Sequence, residues 1–272
     1  MRLEREKVAR LERVERDAWR DLYGAVPAEV AAASGLQSHT VDGALVAICS
    51  SVDVLAFNRM IGLGIDEPAA PEQLDRATAL FRAAGVRRFF VQVAPTAEPP
   101  ELDDWLAERS MIHYNNWARL CRETDNPPVV NSTLRVEHVG IEESEVFSAI
   151  VESAFGWPDA ATHWVDASFG RSGWHHYIAY DDDEPIATSV LYSNGEAGWL
   201  SFAATLSTHE GRGAQSALIA RRIRDARDLG IDVLSVETAE DLPKKPSQSN
   251  RNLRRLGFAQ GYLRRNYLWT ES

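Results

Sequence analysis

Two glycines one residue apart, Gly211 and Gly213, stand between an apolar run and a helical one, with His209, Glu210 and Arg212 around them. Such a loop lets the backbone approach a ligand closely. The first amide hydrogens of the following helix have no intrahelical acceptors, so loop and helix start together form a cradle for an anion such as a phosphate. A Gly-X-Gly pair alone reads as an ordinary turn before a core helix, so its neighbours decide. Further on, Glu237 offers a carboxylate that is either a proton acceptor or half of a structural ion pair. His209 is a loop residue, and His175 and His176 alternate along a strand, so one faces inward and one outward.

The elements that would hold these residues follow from periodicity. Trp199 to Leu206 is a continuous run of mostly small and apolar residues, suited to an interior strand. Ser207 to Gly213 supplies turn formers. Ala214, Ala217, Leu218, Ile223, Ala226 and Leu229 trace a helical apolar face, with Arg212, Arg221, Arg222, Arg224 and Arg227 expected on its polar sides and Gly230 as its C-cap. Ile231 to Thr238 reads as the next strand, and Asn252 to Leu256, ended by Gly257 and Phe258, as a short helix.

This series resembles the acetyl-CoA-binding half of the GNAT superfamily of acyl-CoA-dependent N-acyltransferases, over residues from about 133 to 270. The carriers of the resemblance are the run His209 to Leu218 and Leu256-Gly257-Phe258 behind it. It implies that acetyl-CoA is the cosubstrate. Its diphosphate would meet Gly211, Arg212, Gly213, Ala214, Gln215 and Ser216 through backbone amides and one cationic side chain. Its pantetheine arm would lie between two splayed strands carrying Ala203 to Leu206, with Ala204, Thr205 and Leu206 at the cofactor, on one side and Val233 to Thr238 on the other. Ser249 and Asn252 would flank the cofactor. A backbone amide near Thr205 or Leu206 would steady the oxyanion as a neutral amine attacks the thioester directly. There are three departures. Glu210 stands where the family has a basic or amide side chain, Gln215 stands at a usually tiny position, and Leu253 stands where many members carry an acidic tyrosine, leaving Tyr262 and Tyr267 as substitutes beside Glu237. The implied activity is N-acetyl transfer to an amine of a small molecule or peptide; a non-catalytic acyl-CoA-binding sensor or structural module is the alternative.

The whole chain sets the frame. Its 272 residues hold 29 Lys and Arg against 40 Asp and Glu, a net charge of −11, which argues against nucleic acid or an anionic membrane as the partner and is compatible with an amine or amino-acid-like substrate. Cys49 and Cys121 lie far apart and belong to no ligand-spaced cluster, so no zinc site is indicated. The charged start, with neither a signal-like nor a membrane-spanning run, predicts a cytoplasmic protein; a homodimer is compatible with the resemblance.

Upstream, residues 3–23 predict a charged amphipathic helix. Behind it come strands at 41–49 and 52–57, a helix opening at Pro71 and stopped at Gly85, a strand at 88–93, a helix at 102–109 and a strand at 116–121. A second series begins with a strand at 134–139 and a helix at 142–155. A weaker helix follows at 160–169, then strands at 175–180 and 185–191, and closing strands at 259–262 and 266–269. The repeated order predicts an α+β fold of two tandem GNAT-like domains, 1–128 and 129–272, each a mixed sheet flanked by helices. The first copy would be degenerate: its corresponding loop, Gly62 to Pro68, carries Asp66 and Glu67, which would repel a diphosphate.

Overall fold

The computed structural model describes residues 4–156 and 164–271. The chain divides into two compact units, one of Met1–Ala118 with Gly261–Ser272 and the other of Arg119–Gln260. The chain passes between them inside two strands, and the boundary expected at 128/129 lies within the second unit. Each unit is a mixed sheet with helices packed on it.

In the first unit the helix α1 (Arg5–Ala25) buries Val8, Leu11, Val14, Ala18 and Leu22, the stripe its periodicity predicts. A short α2 (Ala28–Ser34) leads to a hairpin of β1 (Leu36–Val41) and β2 (Ala44–Cys49), turned at Asp42 and Gly43, both with positive φ. The strand expected over 41–49 therefore begins only at Ala44, because Asp42-Gly43 is a hairpin turn, and β1 in front of that turn was not expected. Residues 52–57, expected as a strand, are irregular at 52–54 and a turn at 55–57, and β3 is only Arg59–Ile61. Then come α3 (Pro71–Ala83), β4 (Arg88–Val93), α4 (Leu102–Glu108) and the first part of β5 (Ile112–Glu123). The sheet order is β1-β2-β3-β4-β11, with β3 and β4 parallel and the other pairs antiparallel. Strand β11 (Ala259–Thr270) is one continuous element where two were expected. Phe81, Phe89 and Trp269 stack in this unit's core.

The loop Gly62 to Pro68 is filled by its own chain. Asp66 accepts hydrogen bonds from Arg13, at 2.7 Å, and from Arg16, while Gly64 O accepts the Glu98 amide at 3.0 Å. Burial alone would raise the Asp66 pKa, but the two arginines outweigh it and hold the carboxyl below its usual range.

The second unit orders its strands β10-β9-β8-β7-β6. Strands β6 (Arg135–Val139), β7 (Trp174–Asp181), β8 (Glu184–Ser193) and β9 (Gly198–Thr205) pair antiparallel in sequence, and β10 (Val233–Ala239) lies parallel to β9. The helix α5 (Ser144–Phe155) precedes β7; α6 (Ala214–Asp228) links β9 to β10; α7 (Gln248–Arg255) follows β10. Leu218 and Ile223 of α6 are fully buried, each worth roughly 1.5–3 kcal/mol. Of the helix expected at 160–169, residues 160–163 lie outside the described residues, and 164–166 are helical. Among the described residues no helix is long and apolar enough to cross a membrane. Cys49 and Cys121 are buried free thiols.

Candidate functional site

Strands β9 and β10 are paired over only three positions, Gly198 with Leu234, Trp199 with Ser235 and Leu200 with Val236. Beyond Leu200 they part. The cause is visible in β9. Thr188 faces Ala204 and Val190 faces Ser201, so Phe202 and Ala203 together oppose the single residue Ser189 of β8. This is a β-bulge, which bends the strand that carries it. Phe202 takes a left-handed φ of 44° there, uncommon for a bulky residue and a local strain of about 1–3 kcal/mol.

The opened strands, the glycine loop and α7 enclose a cavity of about 510 Å³ within the second unit. Of the residues expected at a cofactor, Ala204, Thr205, Gly211, Gly213, Ala214, Gln215, Ser216, Ser249 and Asn252 line it. Two do not. The Leu206 amide already donates to Ile186 O at 2.9 Å, a ladder bond that also removes it as an oxyanion donor. Arg212 is turned to Asp181 of the β7–β8 hairpin in an exposed ion pair.

Gly211 and Gly213 have φ of 78° and 85°, which lets the chain turn into α6 without strain, and the space where a Cβ would stand is open at both. Gly213 caps α6 with no side chain accepting from its first amides; Ala217 N, bonded to Gly213 O at 3.1 Å, is the first amide to be satisfied within the helix. The amides of Ala214, Gln215 and Ser216 therefore present donors at the positive end of a helix dipole. Gln215 Nε2 donates to Ala204 O at 2.8 Å and to Thr205 Oγ1 at 3.0 Å, leaving its buried Oε1 without a partner. Ser216 Oγ donates to Asn252 Oδ1 at 3.2 Å, tying α6 to α7. Free donors at a helix start beside an open strand edge fit a phosphate with a polar arm behind it.

Glu237 does not line the cavity. Val236 does, and alternation along β10 turns Glu237 to the opposite face, where Oε2 lies 3.8 Å from Nη1 of the fully buried Arg119. Arg119 Nη2 donates to Ser235 Oγ at 3.2 Å. The two tyrosines expected as acids belong to the first unit and are engaged there. Tyr262 donates to Glu12, whose carboxylate also meets Arg264, and Tyr267 donates to Asp103 at 3.0 Å. Burial raises the Tyr267 pKa, with Asp103 adding to it against Arg265. Leu253 itself lines the cavity.

His176 is the inward histidine, buried, stacked on Phe169 with centroids 3.7 Å apart and bonded through Nε2 to Ser168 Oγ at 2.8 Å. His175 is half-buried beside His138. His209 lines the cavity, its Nδ1 2.9 Å from Thr208 Oγ1 and its Nε2 3.5 Å from Glu184.

Among the cavity residues that sequence reasoning missed are two arginines. Arg255, at the end of α7, brings an exposed cation to the cavity wall. Arg222, expected on the polar side of its helix, is 1% exposed and also lines the cavity. The signal was present: Gln215, Ile219 and Arg222 are spaced to share one helix face.

Residues 142–258 match the model of the acetyltransferase (GNAT) family. No curated protein matches the chain. Among solved structures, a GCN5-related N-acetyltransferase from Kribbella flavida aligns with a TM-score of 0.64 at 19% identity, over 95% of this chain and 94% of that one. One from Sphaerobacter thermophilus aligns at 0.58 and 13%, over 99% and 94%. A tandem GNAT protein from the clavulanic acid biosynthesis pathway, solved without AcCoA, aligns at 0.58 and 14%, over 84% and 78%. At such identities the structures speak for fold alone: the chain has the fold of GNAT acetyltransferases, and residues 142–258 carry that family's sequence pattern.

Proposed function

We propose that the second unit binds acetyl-CoA and transfers its acetyl group to an amine of a small molecule or peptide by direct attack. The observation that carries this reading is the parting of β9 and β10 after Leu200 and Val236, next to the unsatisfied amides that open α6, with both lining one cavity. The thioester supplies the activated acyl group. The amides of Gly213 to Ser216 would hold the diphosphate, and Arg255 replaces Arg212 as the cation available to phosphate. The open edge of β9 and Gln215 Oε1 would satisfy the pantetheine amides, with Ser249 and Asn252 beside them.

With Leu206 N bonded to β8, alternation turns the Thr205 amide to the open side, and we assign it the developing oxyanion. Glu237, directly or through water, would remove the amine proton on the sheet face away from α6, oriented by Arg119. The first unit is read as a degenerate copy of the same fold in tandem, its loop closed by Asp66, Arg13, Arg16 and Glu98. A second reading, an acyl-CoA-binding module without turnover, is favoured by Leu253 in the cavity wall and by the engagement of Tyr262 and Tyr267 elsewhere.

Titration with acetyl-CoA, followed by thiol release over a panel of amines, separates the two. Release with any amine supports transfer, binding without release supports the module, and absence of binding removes both.

A further inference from the structure

Among the described residues four arginines are fully buried: Arg59, Arg119, Arg222 and Arg264. Three have carboxylates. Arg264 meets Glu12 and Glu15, Arg59 lies 3.4 Å from Glu15, and Arg119 lies 3.8 Å from Glu237. Arg222 has none among the described residues. Its hydrogen bonds go to neutral main-chain oxygens, Nη1 to Val190 at 3.0 Å and Nε to Leu218 at 3.3 Å, and among the described residues the ionisable group acting on it is the Tyr177 hydroxyl. Burial pushes its guanidinium down to about 9. A buried charge without a counter-charge costs several kcal/mol, and Arg222 is also a residue of the cavity wall.

Its position identifies the kind of anion. Arg222 lies eight residues beyond Ala214 on α6, about 12 Å along the axis from the amides that would hold a diphosphate. Leu200, Val236 and Ile219 give the intervening wall an apolar lining. An anion at Arg222 is therefore separate from the phosphates.

We propose that Arg222 binds a carboxylate at the inner end of the cavity, carried either by the acyl group of the donor or by the amine acceptor. This rests on the acyl-CoA reading above. Arg222 would pair it through the guanidinium edge left over from Val190, and the carboxylate would supply the missing counter-charge.

The test uses the full chain and begins with free coenzyme A; failure to bind it removes the acyl-CoA reading and this proposal with it. Once coenzyme A binds, succinyl-CoA and butyryl-CoA, which have acyl chains of equal carbon count, are compared. About tenfold tighter binding of succinyl-CoA, abolished in Arg222→Met, places the carboxylate on the donor. A similar preference for alanine over ethylamine with acetyl-CoA saturating, also abolished in Arg222→Met, places it on the acceptor. Both preferences absent from the wild type, or surviving in a folded Arg222→Met, overturn the proposal while leaving acyl-CoA binding intact. Should Arg222→Met fail to fold, Arg222→Lys with an unchanged wild-type preference overturns recognition through the guanidinium fork, and loss of that preference supports it. A purely structural role for Arg222 moves both members of each ligand pair equally.

Discussion

Gln215 Nε2 lies 2.8 Å from the carbonyl oxygen of Ala204, so the side chain opening α6 is fastened to the end of the strand before the glycine loop. Loop, helix start and opened strand edge are thereby one unit of geometry. In the sequence Gln215 reads as a bulky intruder at a tiny position; in the fold it sets the spacing between the anion cradle and the splay.

Gln215→Ala removes this fastening and frees the Ala204 carbonyl. We expect a stability loss of about 1–2 kcal/mol by urea unfolding and a several-fold weaker acetyl-CoA Kd. Unchanged affinity would mean that the loop holds its shape without the side chain.

Gly213 has a left-handed φ and open space at its Cβ position, so any cost of substitution there is conformational. Gly213→Asn should bind coenzyme A nearly as the wild type does, because asparagine tolerates this conformation, whereas Gly213→Val should lose about tenfold or more and destabilise the fold by at least ~1 kcal/mol. Equal affinities for the two variants, measured by calorimetry, would contradict a backbone cradle.

Glu237→Gln keeps the shape of the side chain and its hydrogen-bonding reach. As the proton acceptor, Glu237 should cost kcat about 10²-fold to 10⁴-fold when changed, with the acetyl-CoA KM little altered. A kcat within twofold of the wild type would return Glu237 to a structural partner of Arg119.

His176 gives a pH prediction. Burial, with the nearby His138 and His175 adding to it, lowers its pKa to about 3, while in the unfolded chain it stays near its ordinary value of about 6.5. Between those values the unfolded state binds the extra proton, so stability is lost as pH falls, by at most about 1.4 kcal/mol per pH unit from this residue. His176→Phe, which keeps the stack on Phe169, should flatten the acid limb of stability by up to one proton below pH 6.5. An unchanged slope would show that the imidazole becomes protonated in place.

Periodicity carried the interior strand, the glycine loop, α6 and its Gly230 stop, because burial on one face leaves a spacing in the sequence. The bulge at Phe202 was not legible, since phenylalanine has no preference for a left-handed φ and only pairing with β8 imposes one. The β1–β2 hairpin was missed because β1 is largely polar and exposed between its buried ends, Leu36 and Val41, and so carries no apolar run to mark it. Burial of Arg222 was hidden by the habit of placing charge outside, although its spacing from Ile219 put it on a cavity-facing stripe. Tyr262 and Tyr267 show the reverse limit: their chemistry can be read from residue type, while their engagement with Glu12 and Asp103 depends on contacts about 250 and 164 positions away in the chain.

The most direct measurement is amide chemical-shift perturbation in the full chain on saturation with coenzyme A. The account predicts large shifts at Ala214, Gln215 and Ser216, together with the β9 edge at Ala204 and Thr205. Saturation that leaves those amides unmoved, or that moves a different helix start instead, would contradict it.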